Sequence, residues 1–520
     1  MWKNVCIRLL LQFFGNTYII NLNVTFPSRI FGRKESLKKI LMRSAMPFGE
    51  KRTVEEVLTR NLVGNNTGNL LFQNSIARII YTDDIEITTI NTTREFTDEQ
   101  VDYFNSEYDM FVLPLANAFR ISFIKQLEIL TSFIQRLKIP CVVVGLGVQR
   151  NLDATQWDYA YDEPAKAFVN AVLEKSATLG LRGEITAEYM KRKGYIEGKH
   201  FNVIGCPSLY TYGDNLPVPK ATNLTPQSNV TVNFKAMLPR ELYTFIRGQA
   251  EQFDNFTFVS QVMQEMRTMY IGRPYPQREI ERGVPENYPI HFSHELMMQD
   301  RMIGVLDDYT WIDYLSHSDF NFGSRIHGNI ASILAGTPCY IFAGDQRVKE
   351  LTEYHNIPHM EMTEITDTTN IFDLYEKTDY SCLLKGHQDR VSNYLNFLDE
   401  NRVPHLDREI INQKGATLFD KMQASREHIG LLHPFSSLAP DEQQIRLENY
   451  LGYLDVYANG RVAQIRDDYK AYKKEATEQI KEYRKKEKKL AKVEKELAEL
   501  KSCRFYKMKV KYDAIKKRFR

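Results

Sequence analysis

Arg325 and His327 sit two residues apart in NFGSRIHGNIASILAGTPCYIFAGDQRV, residues 321–348. The stretch reads as strand and turn through Gly328, an apolar helix from Asn329, a strand over TPCYIFAG, and then Asp345-Gln346-Arg347. A guanidinium on a turn that feeds a helix makes an anion site, because the first N–H groups of a helix lack partners within it. An imidazole beside that anion can give or take a proton near neutral pH. The same residues would also suit a plain structural turn, with Arg325 ion-paired and His327 hydrogen-bonded in the core.

Other stretches carry compatible chemistry. In VGNNTGN, Gly64, Asn65, Asn66, Gly68 and Asn69 precede an apolar helical pattern, so backbone amides and Asn side chains are available to phosphate or sugar hydroxyls. No Gly-Lys-Ser/Thr follows, which excludes a Walker A loop. Arg182 in GLRGEITAEYM ends a short strand ahead of a helix, a position suited to a carboxylate or phosphate and equally to an Arg–Glu pair. Asn117 lies in the polar loop after the apolar run 109–115. Gly145 and Gly147 follow the run IPCVVV, but Arg150 stands where a dinucleotide fingerprint needs its third glycine. HFSHE, with His291, His294 and Glu295, lacks the HExxH order of zinc hydrolases. GCPSL is no Gly-x-Ser-x-Gly elbow. Neither a metal nor a redox cofactor is expected.

These residues must be held by a scaffold of alternating elements. Buried strand-like runs (YDMFVLPL, IPCVVV, ATLGL, FNVIG) alternate with amphipathic helical patterns up to about residue 215. LPVPKATNLTPQSN, 216–229, is a Pro-rich break, after which the alternation restarts and runs to about 385. The pattern predicts two doubly wound α/β domains, 47–215 and 230–385, with ligands at the C-terminal ends of their strands. Residues 1–46 read as a poorly structured leader and 386–460 as a helical region. In 461–520, Ile465, Tyr469, Tyr472, Ala476, Ile480, Tyr483, Leu490, Val493, Leu497 and Leu500 recur at three/four spacing, which predicts a coiled-coil-like helix.

Charge is divided unevenly. Residues 461–520 hold 22 Lys and Arg against 10 Asp and Glu, whereas the remainder holds 46 against 56. A mildly acidic body therefore carries a basic helix, suited to self-association or to an anionic membrane surface. No nucleic-acid recognition module accompanies it. The six cysteines are scattered, with no CxxC pair, as expected of reduced thiols in a cytoplasmic protein, and the basic helix allows a place at the membrane periphery. No apolar run reaches the roughly 18 residues of a membrane span.

Taken together, GNNTGN, FVLPLANAF, IPCVVVGLGVQ, LGLRGEITAEYMKRKGY, VIGCPSL and SDFNFGSRIHGNIASILAGTPCYIFAGDQRVKELTEYHNIP make residues 55–385 similar to the polysaccharide pyruvyl transferase family. The resemblance implies a GT-B-like pair of Rossmann-type domains, with the acceptor on the first and the donor on the second. It implies transfer of pyruvate from phosphoenolpyruvate, as a ketal, onto a glycan or lipid-linked sugar precursor. Arg325, His327 and Gly328 match the family's Arg-x-His-Gly motif. Arg347 stands where many members carry lysine, and Asn69 and Leu70 replace acids of the N-terminal motif. Under that reading Arg182, Arg325, Arg347 and Gly328 bind the donor's phosphate and carboxylate, and His327 and Arg325 serve the chemistry. Gly64, Asn65, Asn66, Gly68, Asn69, Asn117, Gly145 and Gly147 then line the acceptor side. The alternatives are a GT-B glycosyltransferase using a nucleotide sugar, and a non-catalytic glycan-assembly adaptor acting through the C-terminal helix.

Overall fold

A computed structural model describes residues 2–13, 16–27, 37–44, 46–150, 152, 154–220, 223–285, 287–502 and 504–518. The chain forms two units: residues 33–450, and residues 1–32 with 451–520. In the second of these, β1 (Trp2–Phe13) and β2 (Asn16–Pro27) pair antiparallel.

The larger unit contains two parallel sheets. The first half is built from β3 (Lys38–Arg43), α1 (Val54–Arg60), α2 (Gly68–Ile80), β4 (Ile85–Ile90), α3 (Asp98–Glu107), β5 (Met110–Pro114), α4 (Ile124–Arg136), β6 (Cys141–Val144), α5 (Asp162–Leu173), β7 (Leu179–Leu181), α6 (Glu184–Arg192) and β8 (Phe201–Val203). Its strands lie in the order β4-β3-β5-β6, and a parallel bridge from Leu146 to Leu181 continues the sheet into β7-β8. The second half comprises β9 (Asn229–Asn233), α7 (Arg240–Ala250), β10 (Asn255–Ser260), α8 (Met263–Ile271), α9 (Gln277–Ile280), α10 (Glu295–Met298), β11 (Met302–Gly304), α11 (Asp308–Ser316), β12 (Phe320–Gly323), α12 (Ile326–Ala335), β13 (Cys339–Ala343), α13 (Gln346–His355), β14 (His359–Glu361) and α14 (Ile371–Lys377). Its order, β11-β10-β9-β12-β13-β14, is the Rossmann order, parallel throughout. Two such halves make the protein an α/β fold of the GT-B-like kind. Each sheet has a reversal point beside its first strand, so the strand ends there open a crevice.

Strands such as Cys141–Val144 and Cys339–Ala343 are buried at every position, because helices cover both faces of each sheet. One apolar cluster joins the halves: Ile40, Met42, Val142 and Ile76 of the first pack with Ile330, Ile341 and Leu351 of the second.

Two expectations change. The predicted leader, 1–46, contains β3, a central strand of the first sheet with Ile40, Leu41 and Met42 almost wholly buried. Only three apolar residues between basic neighbours carry that strand, too short a run to be legible as one. The boundary expected at 460 falls inside a single helix, α18 (Pro440–Ser502), which α19 (Arg504–Arg518) follows. Before it, α15 (His387–Glu400), α16 (Arg408–Ile411) and α17 (Leu418–Ala424) return to the first half. Asn393 donates to the Val203 carbonyl, Asn401 Oδ1 accepts from the Thr178 amide, and buried Arg78 forks onto Asp420 at 2.8 and 2.9 Å. No helix among the described residues is long and apolar enough to cross a membrane.

Candidate functional site

The turn at Arg325 is held by buried asparagines. β12 ends at Gly323 with φ of 150°, where a Cβ would fall 1.8 Å from the Asn233 carbonyl oxygen, so only glycine fits. Asn233 Oδ1 accepts from the Arg325 amide at 2.8 Å and from Asn329 Nδ2 at 3.2 Å. Asn321 donates to Asn329 Oδ1 at 2.9 Å and accepts from Asn233 Nδ2 at 3.2 Å. These ties start α12 at Ile326, three residues earlier than the sequence suggests. Arg325 is therefore the N-cap, and His327 and Gly328 lie in the first helical turn. The Arg325 Nε donates to the Phe234 carbonyl, and its charge faces the buried Glu265 carboxylate, which Ser260 and Tyr288 hydrogen-bond.

Arg347 stands one residue into α13, whose N-cap Asp345 accepts from Lys235 at 3.3 Å and from Arg347 at 3.5 Å. The charges of Arg347 and Lys235 overcome burial and hold the Asp345 carboxyl well below the usual carboxylate range. The Arg347 Nε is buried without a hydrogen-bond partner.

Arg182 comes from the first half, at the end of β7. Its amide donates to the Leu146 carbonyl, and its buried Nε has no partner. Gly147 admits it: a Cβ there would fall 2.4 Å from Arg182 Cδ and Nε. Gly145, at φ of 80°, admits Phe72 in the same way. These two glycines thus make room for side chains at the cleft.

His327 joins the halves. Its Nε2 lies 3.8 Å from Cys206 Sγ, its ring packs on Phe72, and a Cβ on Gly68 would fall 2.7 Å from its Nδ1. Burial, followed by the positive charges of Arg182, Arg347 and Arg325, pushes its pKa down to about 3. The imidazole is therefore neutral at pH 7 in a field of three guanidiniums.

The Gly/Asn loop is a joint. Asn66 Oδ1 accepts from the Gly68 amide at 2.8 Å and from Gln261 of the second half at 2.7 Å. Thr67 donates to the Val305 carbonyl, the Met263 amide to the Asn65 carbonyl, and Asn69 to the carbonyls of Val63 and Gly64. Asn117, at φ of 47°, leaves its Oδ1 buried and unpartnered beside Gln149.

Sequence reading missed several residues here. Arg120 and Arg43 belong to the same positive field, since Arg120 feels Arg347, Arg182 and Arg43 after burial, and sits at about 10. Lys235 lies two residues past the end of β9, beside Asp345 and Arg347. Glu350, one turn after Arg347, accepts from the Thr186 amide at 2.6 Å, and its Oε2 is buried without a partner. Burial raises its carboxyl to about 7 against the pull of Arg182. Arg182 was legible because it ends an apolar run that reads as a strand; Arg43 ends β3, whose apolar run is too short to read as one, and Arg120 lies in a run with no motif around it. His291 and His294 are engaged locally, with Ser293 and the Asn287 carbonyl.

The cleft is thus ringed by helix N-termini from both halves. Gly68 of α2 abuts His327, the Thr186 amide of α6 meets Glu350, and Arg325 and Arg347 open α12 and α13. Four or more cations converge there with the carboxylates of Glu265, Asp345 and Glu350, and the Nε atoms of Arg182 and Arg347 have no partner, which is the chemistry of a polyanion site.

The family model for polysaccharide pyruvyl transferase matches residues 66–346, which include Arg182, Arg325 and His327. No curated protein matches the chain. Among solved structures, the UDP-GlcNAc 2-epimerase of Methanocaldococcus jannaschii, in complex with UDP-GlcNAc and UDP, is 11% identical, covering 69% of this chain and 99% of its own at a TM-score of 0.38. Sucrose-phosphate synthase of Thermosynechococcus elongatus is 12% identical, covering 70% and 96% at 0.35.

Proposed function

The chain belongs to the polysaccharide pyruvyl transferase family, and from that premise we propose that it transfers pyruvate from phosphoenolpyruvate onto two hydroxyls of a glycan or lipid-linked sugar. The observation that carries this reading is the convergence of Arg182, Arg325 and Arg347 around a neutral His327. Phosphoenolpyruvate carries a phosphate and a carboxylate on adjacent positions, and unpaired guanidinium nitrogens from both halves suit such a compact polyanion.

In the reaction the methylene carbon takes a proton, giving an oxocarbenium-like C2. Two sugar hydroxyls bond to C2 and the C2–O bond to phosphate breaks. Of the two hydroxyl hydrogens, one finishes on the methyl carbon and the other on the released phosphate. His327 is the proton carrier in this reading. Free, its neutral imidazole is a base. A bound phosphate offsets the field of the arginines and brings its proton affinity back toward that of an ordinary imidazole.

The test is phosphate release from phosphoenolpyruvate across a panel of glycans bearing free hydroxyl pairs. Release that depends on the acceptor is expected, and His327→Ala should lower it by about 10²–10⁴-fold without changing the fold. Turnover of nucleotide sugars with phosphoenolpyruvate inert would instead establish the glycosyltransferase alternative.

A further inference from the structure

Beyond the catalytic body, the geometry of α18 points to a specific partner. From Ala458 to Leu500 one heptad register runs unbroken: Ala458, Val462, Ile465, Tyr469, Tyr472, Ala476, Gln479, Tyr483, Lys486, Leu490, Val493, Leu497 and Leu500. Eleven of these thirteen positions are apolar or aromatic, and Ile480 falls just outside the stripe. The structure makes the whole stretch one helix, about 65 Å long at 1.5 Å per residue. Val462, Leu490, Val493, Leu497 and Leu500 are 49–63% exposed on it. A seam of this kind is stable only against another helix.

We propose that residues 458–500 pair with the same segment of a second copy as an antiparallel two-stranded coiled coil. Charge selects the direction. Parallel pairing in register would face Lys486 with Lys486 inside the seam, and beside it Arg461 with Arg466 and Glu482 with Glu487. Antiparallel pairing that sets Ala476 against Gln479 of the second copy removes all three clashes. Its layers then become Ala458 with Leu497, Val462 with Val493, Ile465 with Leu490, Tyr469 with Lys486 and Tyr472 with Tyr483. Small faces large at one end, and the one seam lysine meets an aromatic ring rather than its like. Flanking the seam, Arg461 meets Glu496, Asp468 meets Lys489 and Arg466 meets Glu487, with Glu475–Glu482 the one like-charged contact among these flanking pairs. The acids Glu487, Glu494 and Glu496 border the stripe, which disfavours an anionic lipid surface as its occupant.

The experiment uses the full chain. Light scattering at micromolar concentration should give twice the mass of the chain, and Leu490→Asp with Leu497→Asp should return it to the single mass while the α/β body melts unchanged. In a Cys503→Ser background, Val462→Cys together with Val493→Cys should cross-link two copies on oxidation, whereas Leu490→Cys alone should not. A single-chain mass for the unaltered protein, a dimer indifferent to the two aspartates, self-cross-linking through Leu490→Cys, or flotation of single chains with phosphatidylserine vesicles through the same face would each overturn the proposal.

Discussion

At the scale of single residues, the site is a problem of unneutralised charge. Arg182 and Arg347 each keep a buried Nε without a partner, and His327 refuses a proton because it is buried and, after that, because three guanidiniums surround it. The proton balance follows from the sign of that shift. The native imidazole titrates near 3 and an unfolded one near 6.5, so the unfolded chain binds a proton that the native chain declines between those values. This group therefore loses stability for the fold as pH falls through that window. Binding phosphoenolpyruvate should reverse the shift and draw a proton from solution. Calorimetry at pH 7 in buffers of different ionisation enthalpy is expected to show net proton uptake on binding, and His327→Gln should abolish it. The sequence made Arg325, His327, Arg182 and Arg347 legible because each stands at a strand end or helix start with a small residue near it. Glu350, Lys235, Arg43 and Arg120 were hidden, since their role depends on which half faces them and no local pattern records that.

At the scale of elements, placement rests on polar groups inside the second half. Asn233, Asn321 and Asn329 are all nearly inaccessible, and each satisfies the others while fixing the Arg325 turn. Asn329→Ala would leave buried donors and acceptors unpaired, at a cost of about 1–3 kcal/mol. Thermal unfolding should register that loss, and turnover should fall further than for a surface change of equal stability cost, because the turn itself loosens. Gly323→Ala is expected to be harsher: its methyl would occupy the position of the Asn233 carbonyl, and soluble expression is the measurement that checks it. The alternation of strands and helices was plain in the sequence, since strands covered on both faces are continuously apolar. β3 was not, because its three buried residues are flanked by lysines and an arginine. The start of α12 was misjudged by three residues, because the asparagines that tie it down lie far apart in sequence.

At the scale of the whole molecule, α15, α16 and α17 are part of the first half. Arg78 and Asp420 are both almost wholly buried, 342 residues apart, and pair through two hydrogen bonds. Removing one partner strands a buried charge, so Asp420→Ala should cost about 3–5 kcal/mol, read as a fall in denaturant midpoint. Arg78→Met with Asp420→Leu should recover much of that loss. Sequence periodicity showed 386–460 to be helical but not where it docks, since packing of one surface on another leaves no local signature. The return of α15 to the first half also decides how the halves are joined. The chain crosses between the halves at least three times: through 216–229, between α14 and α15, and again after α17, where Leu432 exchanges backbone hydrogen bonds with Gly304 of the second half. Chain drawn back and forth across the gap holds its two sides like lacing, and Asn66 and Thr67 of one side are also bonded to Gln261 and Val305 of the other, so Arg182 and Arg347 stand opposite each other without a separate clamp.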